Sequence, residues 1–222
     1  MIYLLHIDTS ADVCGIAISG DGVLLCSASN SEPRNHAAVI NQLIDRLLGE
    51  IHLSLQQLSG VVVCAGPGSY TGLRIAMASA KGICFAADMP LIIDNKLELL
   101  ATSFQIPDGI ETVNIATILI AREQEYFIGI YNYKGDCVMP PHHIPEVQLA
   151  DLLQEKEKLH IVSNAPMEVF YKLKVNFLSF SANITIDYQS WVANAYEKYK
   201  CQTFVNLSSA TPLYLKQVYT HK

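Results

Sequence analysis

Charged residues are scarce in this 222-residue chain. Fifteen lysines and arginines and 21 aspartates and glutamates make up 16 % of it, for a formal net charge of −6. The basic deficit holds along the chain: residues 1–100 carry five basic against nine acidic side chains, and residues 101–222 carry ten against twelve. A chain that grips nucleic acid alone usually displays a basic face, because neutralised phosphates supply much of the affinity. Independent RNA binding is therefore set aside; any RNA must be held mainly by something else. No apolar run reaches the ~18 residues of a membrane span. The opening MIYLLHIDTS lacks a basic segment and reads as a strand, which argues against a signal peptide and for the cytosol. The six cysteines, at 14, 26, 64, 84, 137 and 201, form no CxxC pair. Zinc and dithiol motifs are missing, and the cysteines read as small buried hydrophobes.

What is present alternates between strand and helix signals. Apolar runs at 2–8, 13–19 and 22–28 are separated by turn residues, and Gly20-Asp21-Gly22 marks a hairpin. Residues 36–49 place Val39, Ile40, Leu43, Ile44, Leu47 and Leu48 at helical spacing. A strand at 61–65 runs into Gly66-Pro67-Gly68-Ser69, then a helix from about 71 to 87, a strand after Pro90, and Asn95-Lys96-Leu97-Glu98, which resembles a capping box. The order repeats loosely: strands at 113–121, 125–133 and 137–139, helices at 146–156 and 165–173, and a strand at 159–163. Two related α/β lobes are expected, 1–104 and 105–222, joined through a polar, turn-rich segment.

Three stretches carry candidate chemistry. Asp8-Thr9-Ser10 ends the first strand, where an aspartate can coordinate a metal-bound phosphate, or the three can simply form a turn. The GPGS turn can offer unpaired helix-start N–H groups to an anion at Gly66, Gly68 and Ser69. Equally, Ser69 or Thr71 can cap the helix; the lysine of a phosphate-binding P-loop is missing. The following helix carries Leu73, Met77, Ala80 and Cys84 on one side and Ile75, Ala78, Ser79, Gly82 and Phe85 on another. A helix on one face of a sheet needs a single apolar stripe, so the second face is covered either by helix 36–49 or by a partner subunit. His142 and His143 are adjacent and point apart, which makes a poor ligand pair, and no nucleophile–base order stands out.

The segments IDTS, RNH, AGPGSYTGLRIAMASAKG, AREQEYFIGIY and PLYLK together resemble the TsaB (YeaZ) family, over nearly the whole chain. The resemblance implies two ribonuclease-H-like lobes of the actin and sugar-kinase superfamily. It further implies a non-catalytic subunit in the synthesis of threonylcarbamoyladenosine in tRNA, with TsaD and TsaE as partners and tRNA held only within the complex. A homodimer through the same surface is the alternative pairing. The expected interface comprises His36, Ile40, Leu43, Leu47, Leu73, Arg74, Met77, Lys81 and Cys84. Relative to TsaD-like chains, the metal-binding H-x-E-G-H is replaced by Asp94 to Glu98, and a glycine-rich phosphate hairpin by Ala121-Arg122-Glu123-Gln124-Glu125. Only Gly135 follows residue 129, so later adenosine loops have no match and no cofactor is expected. Lys216 stands where such endings usually have arginine. The competing reading is a small nucleotide-dependent phosphotransferase or hydrolase using Asp8 and the GPGS turn; a peptidase lacks its parts.

Overall fold

The computed structural model describes residues 1–32, 36–104, 113–156 and 159–216. β1 (Tyr3–Asp8), β2 (Cys14–Gly20) and β3 (Val23–Asn30) form an antiparallel meander. Its β2–β3 turn is Asp21-Gly22, with φ of 47° and 80°, the left-handed pair that a two-residue hairpin needs. After α1 (His36–Glu50), β4 (Gly60–Cys64), α2 (Tyr70–Ala87) and β5 (Leu91–Asp94) follow. The parallel strands β4 and β5 extend the sheet beyond β1, giving the order β3-β2-β1-β4-β5.

α3 (Lys96–Thr102) leads to a second sheet. It comprises β6 (Asn114–Arg122), β7 (Glu125–Asn132), β8 (Cys137–Pro145), then β9 (Leu159–Ser163) and β10 (Ser179–Ser181), with α4 (Glu146–Gln154) and α5 (Met167–Lys172) between. Its order, β8-β7-β6-β9-β10, repeats the first: a meander with two parallel strands added. This is the ribonuclease-H-like topology twice over, as expected. α6 (Tyr188–Lys200) comes last. The chain divides into two compact units, Met1–Lys96 with Tyr188–Leu213, and Leu97–Asp187 with Tyr214–Lys222. The expected junction at 104/105 adjoins residues 105–112, outside the described residues.

In the first unit the two-residue period of the strands decides what meets what. Leu5, Ile7, Ile16, Ile18, Val61 and Val63 join the inward residues of α1 and α2 in one core. The opposite face of β1 carries His6, whose ring meets Trp191 of α6 edge-on at 5.1 Å. Trp191 Nε1 and Lys198 Nζ each donate to Asp94 at 2.6 Å, so the carboxylate at the end of β5 fastens α6 to the sheet. Asp94 is therefore an internal anchor rather than a helix cap or cation ligand.

The second unit has its own core around Ile118, Ile128, Ile130, Leu149, Leu153 and Phe170. β8 runs to residue 145, well past the expected 137–139. Its prolines are tolerated because it is an edge strand, one side of which needs no ladder bonds. Cys14, Cys64 and Cys84 are buried as expected, but Cys137 and Cys201 are exposed. No helix among the described residues is long and apolar enough to cross a membrane.

Candidate docking face and glycine turn

α2 is capped by Ser69, whose side chain accepts from Gly72 N at 3.3 Å, and it stops at Asp88 in a left-handed conformation with φ of 50°. Its two apolar faces have different fates. Ala76, Met77, Ala80 and Cys84 enter the core, and Leu73, 2 % exposed, lies over Gly66. From α1, Ile40, Leu43 and Leu47 enter the same core. His36 is also buried, with Nε2 at 3.1 Å from Ala11 O. This corrects the expected interface: Ile40, Leu43, Leu47, Leu73, Met77 and Cys84 pack inside the unit, and none offers a surface. Helical periodicity finds an apolar face without saying whether the chain's own sheet or another molecule covers it.

The outward face of α2 is made by part of the other set, for Ile75 packs against the core and Ser79 is half-buried. Arg74, Ala78, Gly82, Phe85 and Ala86 are exposed. Phe85 is 85 % exposed, and a Cβ added at Gly82 would meet open space. Arg74 lies over the Tyr70 ring at 4.1 Å. Lys81 is half-buried and donates to Ala210 O at 3.1 Å, which ties the C-terminal segment down. The outward side of α1 is more polar, with Asn41, Gln42, Asp45, Arg46 and Glu50. A surface helix normally turns charge to water, so the strip of Ala78, Gly82, Phe85 and Ala86 is the anomaly on this unit.

The glycines of the turn before α2 and of its first helical turn answer to the chain itself. A Cβ on Gly68 would lie 2.1 Å from Ser10 O, and one on Gly72 would lie 2.0 Å from Thr9 O. Backbone meets backbone here: Ser69 N donates to Ser10 O at 2.8 Å, and Thr9 Oγ1 donates to Gly72 O at 2.6 Å. Gly66, with φ of 107°, accepts from Lys96 N at 2.7 Å. The close approach that a phosphate would need is thus used by the β1–β2 turn, and the Ser69 N–H is already engaged.

Half-buried Asp8 and buried Ser10 belong to a polar cluster that the sequence did not reveal. Asp8 Oδ1 accepts from Ser10 N at 2.8 Å, and Lys96 Nζ stands 3.5 Å from Asp8 Oδ2 and 2.7 Å from Ser10 Oγ. Lys96 is 4 % exposed. Burial works to lower its pKa, but the Asp8 charge and hydrogen bond outweigh that and hold it above the usual lysine value. A Ser–Lys pair can act as nucleophile and base only when the amine is neutral and the hydroxyl reachable. Here the raised lysine pKa and the burial of Ser10, 3 % exposed, both run against that chemistry. Nothing in the local sequence signals it, because the partners are 86 residues apart. No group of three metal-ligating side chains exists among the described residues.

In the second unit the AREQE turn joins β6 to β7 with Gln124 at φ of 56°. Arg122 Nη2 and His143 Nε2 each lie 2.9 Å from Glu125, and Lys216 also donates to it. Hydrogen bonds from Arg122 first, then Lys216 and His143, push the Glu125 carboxyl down to about 2. Long side chains paired on Glu125 therefore occupy this turn. Lys216 keeps a carboxylate partner although it stands in the place of an arginine. His142 turns away to Pro140 O at 3.0 Å, so the two histidines diverge as expected.

Comparison with known proteins gives this arrangement its context. The family described as "TsaD: tRNA N6-adenosine threonylcarbamoyltransferase" matches residues 25–214. The "tRNA threonylcarbamoyladenosine biosynthesis protein TsaB" of Bacillus subtilis is 31 % identical over 158 residues, 70 % of this chain and 67 % of that protein. The protein of the same name from Haemophilus influenzae is 30 % identical over 127 residues, 57 % of this chain and 52 % of its own length. The matches thus span between about half and two thirds of these relatives. The solved structure "YeaZ from Pseudomonas aeruginosa" superposes with a TM-score of 0.78 over 97 % of this chain and 100 % of that one, at 22 % identity. It shares the two-lobe α/β fold.

Proposed function

The chain belongs to the TsaB (YeaZ) family, and on that premise we propose that it is a non-catalytic subunit of tRNA threonylcarbamoyladenosine synthesis that docks TsaD through the outward face of α2. The observation that carries this reading is Phe85, 85 % exposed on a strip otherwise made of small residues. An aromatic anchor flanked by Ala78, Gly82 and Ala86 lets a partner helix come close and seat the ring in a pocket. Docking supports threonylcarbamoyl transfer by binding the competent conformation of TsaD more tightly than its alternatives. The transfer to the adenosine beside the anticodon, from threonylcarbamoyl-AMP, takes place on TsaD. TsaE completes the assembly, and a homodimer competes for the same strip. The net charge of −6 fits a subunit that meets tRNA only inside the complex, in the cytosol. The engaged glycines and the charged Lys96 favour a non-catalytic role over a phosphotransferase.

The test is the mass of the complex with the TsaD of the same organism, measured by light scattering. Phe85→Asp is expected to weaken pairing by at least about 30-fold, roughly 2 kcal/mol. Because the ring is outside, the melting temperature of the isolated chain stays within about 2 °C of wild type. Met77→Glu, by contrast, puts a charge in the core and unfolds the unit. Undiminished pairing by Phe85→Asp and Gly82→Leu together sinks the docking face.

A further inference from the structure

The docking reading leaves the buried lysine without a task. Asp8 Oδ2 and Ser10 Oγ converge at the end of a central strand, and oxygens of this kind are what a hard divalent cation takes as ligands. A metal-bound phosphate beside Asp8 is the one reading that makes that carboxylate a metal ligand, and the residues present do not fit it. The Lys96 ammonium already faces both oxygens, at 3.5 and 2.7 Å. Its backbone N–H holds Gly66 O at 2.7 Å, so the charge is pinned from both ends. The third neighbour is the Cys64 thiol, 3.8 Å from Ser10 Oγ, kept neutral by burial.

We propose that the Lys96 ammonium is a tethered counter-ion standing where a divalent cation would bind Asp8 and Ser10, and that removing it unmasks a divalent-cation site. An incoming metal would have to displace a charge covalently fixed to α3, with no counter-ion released into water whose hydration would favour the exchange. A metal-bound nucleotide is barred for the same reason, whatever the GPGS turn retains. The inference stands apart from the docking reading, because it is read on the isolated chain and not on pairing.

The experiment uses the full chain with Mn²⁺ as probe, followed by calorimetry and thermal melting. Wild type is expected to show no Mn²⁺ binding that depends on Asp8, and the same melting temperature with Mn²⁺ or with chelator. Lys96→Ser leaves the half-buried Asp8 with its Ser10 N–H bond but without its counter-ion, so its melting temperature falls by roughly 5–10 °C. Mn²⁺ at about a hundred times its Kd restores some 5 °C of that. Lys96→Met fills the space without charge and gains no such response, and Asp8→Asn added to Lys96→Ser abolishes it. Wild-type Mn²⁺ binding that Asp8→Asn removes overturns the inference, as does a folded Lys96→Ser indifferent to Mn²⁺. Should Lys96→Ser refold poorly, refolding yield becomes the reading: a gain with Mn²⁺ supports the inference and equal yields overturn it.

Discussion

His6 sets the acid limit of the first unit. It is fully buried, with Nε2 at 2.9 Å from Ser19 Oγ and Nδ1 unpartnered among the described residues. Burial pushes its pKa down from 6.5 to about 3. The folded chain therefore keeps the ring neutral while the unfolded chain takes up a proton near pH 6.5. This stability is present in full above pH 6.5 and is lost as pH falls from there towards about 3. One proton is worth at most ~1.4 kcal/mol per pH unit, so about 1.4 kcal/mol is lost by pH 5.5. Burial also lowers His160, so His6→Leu should reduce the slope of urea stability against pH and leave a remainder. A variant with the full wild-type slope between pH 6.5 and 5.5 rejects the assignment. Glu125 acts in a separate, lower window: its contribution is present above 4.5 and lost towards about 2.

Among the elements, α2 and its turn show what could be read from the chain and what could not. The helix, its small residues and a Ser69 cap were legible, because a serine before an apolar run is a local signal. Which apolar face turns inward was not, since Leu73-Met77-Cys84 and Ala78-Gly82-Phe85 are both consistent with a covered helix. The purpose of the glycines was hidden too, for it lies in carbonyls of residues 9 and 10, far away in sequence. Glycines in one helix should therefore respond in opposite directions. Gly72→Ala drives a Cβ against Thr9 O and is expected to cost about 1–3 kcal/mol. Gly82→Ala meets nothing and is expected to stabilise the isolated chain by ~0.5–1 kcal/mol. Urea midpoints read both, and a tolerated Gly72→Ala contradicts the backbone contact. The full length of β8, Cys137–Pro145, was not legible, because prolines are tolerated in a strand only at a sheet edge and the sequence does not say where the edge falls.

At the scale of the molecule, the doubled α/β pattern was visible in the alternation of apolar runs, but the last helix was not placed. Trp191, Val192 and Ala195 form a short buried stripe, and the bonds that give it meaning reach Asp94, about a hundred residues earlier. α6 belongs to the first unit although Leu97–Asp187, most of the second unit, is encoded before it. A fragment ending at residue 104 should accordingly lack a cooperative urea transition, since His6 and Asp94 lose their cover. A sharp, reversible transition in that fragment would show that the sheet stands without α6.

That connectivity also has a consequence in time. Strands β1 to β5 leave the ribosome with one face bare, and roughly 90 further residues must be made before Tyr188 arrives. At about 5–20 residues per second that is an interval of roughly 5–20 s. Throughout it the nascent sheet offers an apolar flank to chaperones and to its neighbours on the same message, and Trp191 is the residue whose emergence brings that exposure to a close.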